Sequence, residues 1–120
     1  MVAAKGEDGE GRVSIQDLLE ASLRLRPDRI IMGELRGKEA FTFLRAAKSG
    51  HPGSLTTVHA DSPASAIDQL SMMVLQANLG MDREDIKAYV NSMVDIIVQL
   101  ERKDGKRFVS AIRFKHAETH

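Results

Sequence analysis

The chain has 120 residues, of which 42% are hydrophobic, and this composition allows one domain with a modest core. Its 17 basic and 17 acidic residues give a formal net charge of zero, so no global basic field favours direct binding of nucleic acid or of an anionic membrane. The absence of cysteine excludes disulfides and thiolate metal sites. No run of the sequence approaches the roughly 20 apolar residues of a membrane span.

The first predicted element is a helix that begins after Ser14. Residues 1–12, which come before it, are small, charged and glycine-rich, and this composition predicts a flexible lead-in. Ser14 has the side chain of an N-cap, and Asp17 three positions later favours the reciprocal bonds of a capping box. Apolar residues at helical spacing continue to about Leu25, and Pro27 prevents the helix from continuing.

The next stretch predicts a strand, a helix and a second strand. Residues 29–32 are a largely apolar run typical of a buried strand, and Glu34 follows it closely. Residues 38–49 have a helical period, and residues 54–59 are rich in β-branched side chains. Two strands joined by a helix run parallel and end at the same edge of a sheet. We therefore expect Glu34 and His59 at one edge, where open α/β sheets bind ligands.

A second histidine, His51, comes before the second predicted strand. At about 3.3 Å per residue, the strand separates His51 from His59 by more than roughly 15 Å, so the two are not expected to bind one metal within a subunit. The residue pattern alone leaves alternatives open: Glu34 as an ordinary surface acid, His51 as a polar loop residue, His59 as a hydrogen-bonded structural histidine. Arg36 either contacts phosphate or pairs with Glu34 or Glu39.

The second half of the chain predicts two more helices. Ser62 is typical of an N-cap, and Pro63 suits the first helical position. Apolar residues at helical spacing predict a helix that continues to Leu79 and ends at Gly80. Asp82 is the predicted N-cap of the helix that follows.

The C-terminal segment predicts a β-hairpin. Residues 95–100 and 107–114 have the composition of two strands, and Asp104-Gly105 between them is a strong signal for a two-residue turn. Residues 116–120 predict a disordered tail.

Two of these segments together resemble known motifs. The segment RPDRIIMGELRG resembles the Walker B segment, and SGHPGSLTTVHA the histidine box, of the RecA-like ATPases of type II and type IV secretion, pilus assembly and conjugal transfer. The resemblance covers about residues 11–115 and is closer to the type IV branch. It implies that residues 13–115 are the C-terminal portion of an α/β, RecA-like P-loop ATPase core. Such a core has a mostly parallel sheet with flanking helices, here with a C-terminal antiparallel hairpin.

The resemblance also implies roles for single residues. It places Glu34 near the attacking water and the Mg²⁺, which it binds directly or through water, and His59 at the γ-phosphate of ATP. By the same match, His51 and Arg36 are expected among the nucleotide-binding residues. The family further implies ATP and Mg²⁺ as cofactors of the complete enzyme, a homohexamer, and other secretion components as partners. Through those partners it implies a cytoplasmic position peripheral to the inner membrane.

The sequence departs from the family pattern by having no G-x-x-x-x-G-K-[ST]. We therefore expect a segment of a longer ATPase that does not hydrolyse ATP alone. In RecA-like ATPases the strand before the Walker A loop lies between the histidine-box strand and the one after it, so a vacant position is expected between residues 54–59 and residues 95–100. Unpaired backbone groups there predict rearranged or swapped strand pairing, self-association, or marginal stability.

Two other functions remain open from the sequence. The chain is alternatively a non-catalytic interaction module that docks onto secretion ATPase subunits. A metal-dependent hydrolase using His51, Glu34 and His59 is a further alternative, which the strand-length argument weakens.

Overall fold

The computed structural model describes residues 13–115, so the predicted lead-in and tail lie outside the described residues. Within this range, four helices precede a two-stranded antiparallel sheet, and the α/β class and the C-terminal hairpin are confirmed. The elements are α1 (Ile15–Arg24), α2 (Glu39–Lys48), α3 (Pro63–Leu75), α4 (Arg83–Met93), β1 (Ile96–Lys103) and β2 (Lys106–Phe114).

Side-chain caps set the starts of three helices. Ser14 Oγ accepts a bond from Asp17 N at 3.0 Å, and Ser14 N donates to Asp17 Oδ2 at 3.2 Å. This arrangement confirms the predicted capping box. Ser62 and Asp82 likewise accept a backbone N–H from the first turns of α3 and α4. Each such cap contributes about 1 kcal/mol because it satisfies a donor that the helix itself leaves unpaired.

The end of α3 differs from the prediction. The helix ends at Leu75, not at Leu79, and its backbone turns before Gly80. Asn78 has a φ of +53° and its N–H donates to Leu75 O at 3.2 Å. Asparagine tolerates the left-handed conformation, so the chain leaves the helix before the glycine from which the end was predicted.

The core lies between the four helices and the segment that carries Glu34. Apolar residues spaced at the 3.6-residue period give each helix one apolar face, and α1 to α4 all direct that face to the same interior. The most deeply buried large side chains are Leu35, Val74, Ile86 and Val90. Leu35 follows Glu34 directly, so the turn that carries the acid is anchored in the core.

The two predicted parallel strands are reduced to one bridge. Ile31 pairs with Leu55 in parallel, through bonds from Leu55 N to Ile30 O and from Met32 N to Leu55 O, both 3.0 Å. This bridge confirms the predicted direction of pairing. No longer parallel ladder forms between the residues that the structure describes, so the mostly parallel sheet stays a prediction.

The hairpin forms its own sheet. Asp104 and Gly105 have φ of +53° and +76°, as a type I′ turn requires. Within residues 13–115, β1 pairs only with β2, and a bulge interrupts the register between Gln99 and Leu100. Gln99 Nε2 donates to Ala60 O at 3.0 Å, which links the hairpin to the end of the His59 segment without strand pairing.

The described residues therefore show no rearranged pairing around the predicted vacant position, whereas self-association and marginal stability stay predictions. None of the helices in residues 13–115 is long and apolar enough to cross a membrane.

Candidate functional site

Glu34 lies in the turn between the parallel bridge and α2, and backbone bonds hold this turn on both sides of it. Thr57 Oγ1 donates to Gly33 O at 2.6 Å, and Leu35 N donates to Thr57 O at 3.0 Å. A single threonine thus contacts the residue before Glu34 and the residue after it. Because Thr57 is two positions before His59, the same bonds fix the spacing between the acid and the imidazole.

Glu34, Arg36 and His59 form one cluster. Arg36 Nε donates to Glu34 Oε2 at 2.5 Å, while His59 Nε2 contacts Glu34 Oε1. Each carboxylate oxygen therefore has its own nitrogen partner. The Glu34 side chain is 20% exposed, whereas those of Arg36 and His59 are 66% and 95% exposed. Arg36 and His59 are thus accessible to an anion from solution, whereas the Glu34 carboxylate is mostly covered.

The cluster lowers the pKa of the Glu34 carboxyl. The hydrogen bond from Arg36 is the largest cause, desolvation opposes it, and the charges of Arg36 and His59 add to the lowering. Glu34 is consequently ionised at neutral pH. An ionised carboxylate can bind a hard cation or accept a hydrogen bond from water.

His51 does not join this cluster. Its Nδ1 lies 2.7 Å from Pro27 O, and because a carbonyl only accepts, the ring nitrogen donates. Ser54 Oγ donates to His51 O at 2.7 Å and accepts from Ile30 N at 2.9 Å. These bonds tie the loop after α1 to the bridge. The geometry therefore agrees with the alternative that the sequence left open for His51, a polar loop residue, and adds that its ring is hydrogen-bonded.

Residues 13–115 contain no group of three or more acids and histidines that could hold a metal ion. The structure thus lends no support to a protein-only metal site made of His51, Glu34 and His59. A single carboxylate such as Glu34 suits Mg²⁺ better, because Mg²⁺ in phosphoryl-transfer sites keeps water and phosphate as most of its ligands.

Sequence reasoning missed the hydrogen bonds of Thr57 and Glu39. Thr57 was predicted only as part of the strand at residues 54–59. Glu39 was considered only as an ion-pair partner of Arg36, yet its carboxylate accepts from the backbone of Arg36 and Gly37. A glutamate at the first position of a helix, two residues after a glycine, is a signal that could have indicated this capping role.

The fold agrees with comparisons to known proteins. Residues 2–118 match the family described as Type II/IV secretion system protein, and the chain belongs to that family.

Within the family, the chain is similar to the C-terminal part of type IV secretion ATPases. It is 45% identical over 112 residues to the type IV secretion system protein VirB11 of Bartonella quintana, covering 90% of this chain and 32% of that protein. It is 44% identical over 106 residues to PtlH of Bordetella pertussis, covering 84% of this chain and 31% of PtlH. The chain thus spans about a third of the length of these relatives.

A solved structure has the same fold. The crystal structure of the VirB11 ATPase from the Brucella suis type IV secretion system, in complex with sulphate, superposes with a TM-score of 0.77 at 36% identity. The match covers 85% of this chain and 33% of that one.

Proposed function

We propose that this chain is the C-terminal segment of a hexameric ATPase that powers type IV secretion or conjugal transfer. It contributes Glu34 and His59 to ATP binding and hydrolysis when it is joined to the part that carries the Walker A loop. The observation that carries this proposal is the carboxylate of Glu34 shared between Arg36 and His59 at the parallel bridge. Segment 26–37 acts as Walker B and segment 49–60 as the histidine box.

Each residue of the cluster has a distinct role. ATP with Mg²⁺ supplies the reactive phosphate and the positive charge that offsets its oxygens. Glu34 stays ionised and accepts a hydrogen bond from the attacking water or from water on the metal. His59 and Arg36 are exposed and donate to phosphate oxygens. His51 supports the nucleotide-binding edge through its bond to Pro27 rather than by direct contact.

The chain alone does not hydrolyse ATP. Its sequence lacks the glycine-rich loop whose backbone N–H groups and lysine surround the phosphates. Charge stabilisation and positioning provide most of the catalysis of phosphoryl transfer. Without the phosphate-binding loop, a carboxylate and an imidazole therefore do not bind and position the nucleotide.

The hairpin supports a segment that is completed by further polypeptide. Its register pairs Val98 with Ile112 and Leu100 with Val109, and these side chains are all at least half exposed. In an isolated protein such a row of cross-strand apolar pairs is costly, and it is typical of a surface that another element covers. We assign this cover to the remainder of the ATPase, at the cytoplasmic face of the inner membrane, together with its neighbouring subunits.

A chimera tests the proposal. The C-terminal third of Bartonella quintana VirB11 is replaced by this chain, and ATP turnover is measured for the chimera and for the chain alone. We expect turnover from the chimera only, and a loss of about 100-fold or more in Glu34→Gln, because the substitution removes an ionised acid from the reacting centre. The matched control is Glu84→Gln, which changes an exposed glutamate in the first turn of α4 and should leave turnover unchanged. Turnover that is equal in the chimera and in its Glu34→Gln variant would contradict the proposal.

The exposed hairpin also favours a second function, a non-catalytic module that docks onto ATPase subunits. This alternative predicts that the chain captures a full-length relative such as VirB11 and that Glu34→Gln and His59→Ala leave capture unchanged. It further predicts that the same two substitutions leave turnover of the chimera unchanged. The proposed function requires both substitutions to lower turnover.

A further inference from the structure

Glu39 is the one charged residue that is buried in the part of the chain that the structure describes, with 6% of its surface exposed. A buried carboxylate is costly unless hydrogen bonds compensate its charge. Here one oxygen, Oε1, accepts from Arg36 N at 2.8 Å and from Gly37 N at 2.9 Å. Both hydrogen bonds run from a backbone N–H to a charged acceptor, and such charge-assisted bonds are stronger than neutral ones.

The position of Glu39 in α2 makes these bonds unusual. Lys38, the residue before the helix, makes no side-chain capping bond. The Glu39 carboxylate instead reaches back to two N–H groups that precede the helix. A Cβ at Gly37 would lie 3.5 Å from Glu39 Oε2, an ordinary contact, and 3.1 Å from the end of the Gln76 side chain at Oε1.

These bonds complete a set around Glu34. Thr57 holds Gly33 O and Leu35 N on one side. Glu39 holds the next two backbone N–H groups on the other side, and the first of them belongs to Arg36, whose side chain donates to Glu34. The backbone from which Arg36 reaches the acid is thus fixed by a residue that is itself buried.

We propose that Glu39 is a positioning residue: its carboxylate fixes the turn of Arg36 and Gly37 so that the Arg36 guanidinium is held against Glu34. The assignment of this cluster to a nucleotide site rests on the proposed function, whereas the positioning itself is a property of the unliganded chain. Glu39 acts on the cluster through Arg36.

Carboxyl-detected NMR titration of Glu34 tests this inference in the chain alone. Because Arg36 is the largest cause of the lowered pKa of Glu34, Glu39→Ala should raise that pKa towards its ordinary value. Glu39→Gln should keep the pKa low, because the amide oxygen can accept from the same two N–H groups. Loss of the Glu39 charge alone would act in the opposite direction, since removing a nearby negative charge favours ionisation of Glu34. The direction of the shift therefore separates positioning from a simple charge effect.

The matched control is Glu84→Ala, which removes an exposed glutamate from the first turn of α4 and should leave the pKa of Glu34 unchanged. A folded Glu39→Ala variant with the parent pKa at Glu34 would overturn the inference and leave Glu39 as a helix cap only. A rise in Glu39→Gln as large as that in Glu39→Ala would also overturn it.

Hydrogen exchange of the parent chain keeps the inference testable if Glu39→Ala does not fold. The amides of Arg36 and Gly37 should exchange at least about tenfold slower than unstructured reference rates, because each donates to a charged acceptor. Unprotected exchange at both amides would overturn the inference. Failure of the proposed function would appear elsewhere, as chimera turnover that is indifferent to Glu34→Gln.

Discussion

The helical region of this molecule buries its apolar side chains, whereas the hairpin leaves many of its apolar side chains exposed. Each of the four helices directs an apolar face into one shared core, in which Ile86 and Val90 are almost fully buried. The hairpin presents one face to the rest of the chain, through Ile97 and Gln99, and leaves a row of apolar side chains on the other face exposed.

This difference shows which part of the chain is self-sufficient. A helix that is apolar on one face needs one neighbour, and α1 to α4 supply one another with that neighbour. A strand with apolar residues on both faces is typical of a sheet covered on both sides. The sequence IIVQL in β1 has this character, and residues 13–115 cover only one face of the hairpin.

The largest expected effect on the free energy of unfolding comes from comparing one isoleucine of the helical region with one of the hairpin. Ile86 is 1% exposed in α4 and Ile112 is 65% exposed in β2. Ile86→Ala should reduce the free energy of unfolding by about 2–5 kcal/mol, because it leaves a cavity in the core. Ile112→Ala should cost about 1 kcal/mol or less, because only a cross-strand contact is lost. Urea unfolding of both variants checks this expectation, and equal losses would mean that the exposed face is already covered in solution.

Two adjacent threonines, Thr56 and Thr57, follow Leu55 of the parallel bridge and allow a second comparison with a smaller expected effect. Thr57→Val should cost about 0.5–1.5 kcal/mol, because it removes the bond from Thr57 Oγ1 to Gly33 O. Thr56 Oγ1 is buried and has no hydrogen-bond partner within the described residues. Thr56→Val should therefore be neutral or stabilising, since it removes an uncompensated hydroxyl.

The same unfolding assay measures both threonine variants. An equal loss of unfolding free energy for Thr56→Val and Thr57→Val would show that the hydrogen bond from Thr57 Oγ1 to Gly33 O contributes nothing beyond side-chain packing.

Local signals in the sequence were sufficient for most of the secondary structure. Ser14, Ser62 and Asp82 predict helix starts because their side chains satisfy orphan N–H groups within four residues, and the Asp-Gly turn predicts the hairpin for a similarly local reason. The predicted end of α3 was wrong because Asn78 and Gly80 both tolerate a positive φ, and local preference does not decide at which of them the chain turns.

The candidate site was predictable only in part. The order of strand, helix and strand places Glu34 and His59 near one another, as the structure does. The pairing of Arg36 with Glu34 and the bonds of Thr57 and Glu39 depend on tertiary distances that no periodicity encodes. The extent of the parallel pairing was likewise not accessible, because the length of a strand depends on neighbouring strands as well as on its own residues.

The central claim is that Glu34 and His59 act as one unit on a nucleotide. A double-mutant cycle on ATP turnover by the VirB11 chimera tests it directly, with Glu34→Asp and His59→Gln made singly and together. Direct contact between the two side chains predicts that the combined loss of kcat/KM is clearly smaller than the product of the two single losses. A combined loss equal to that product would mean that the acid and the imidazole act independently, and it would contradict the account.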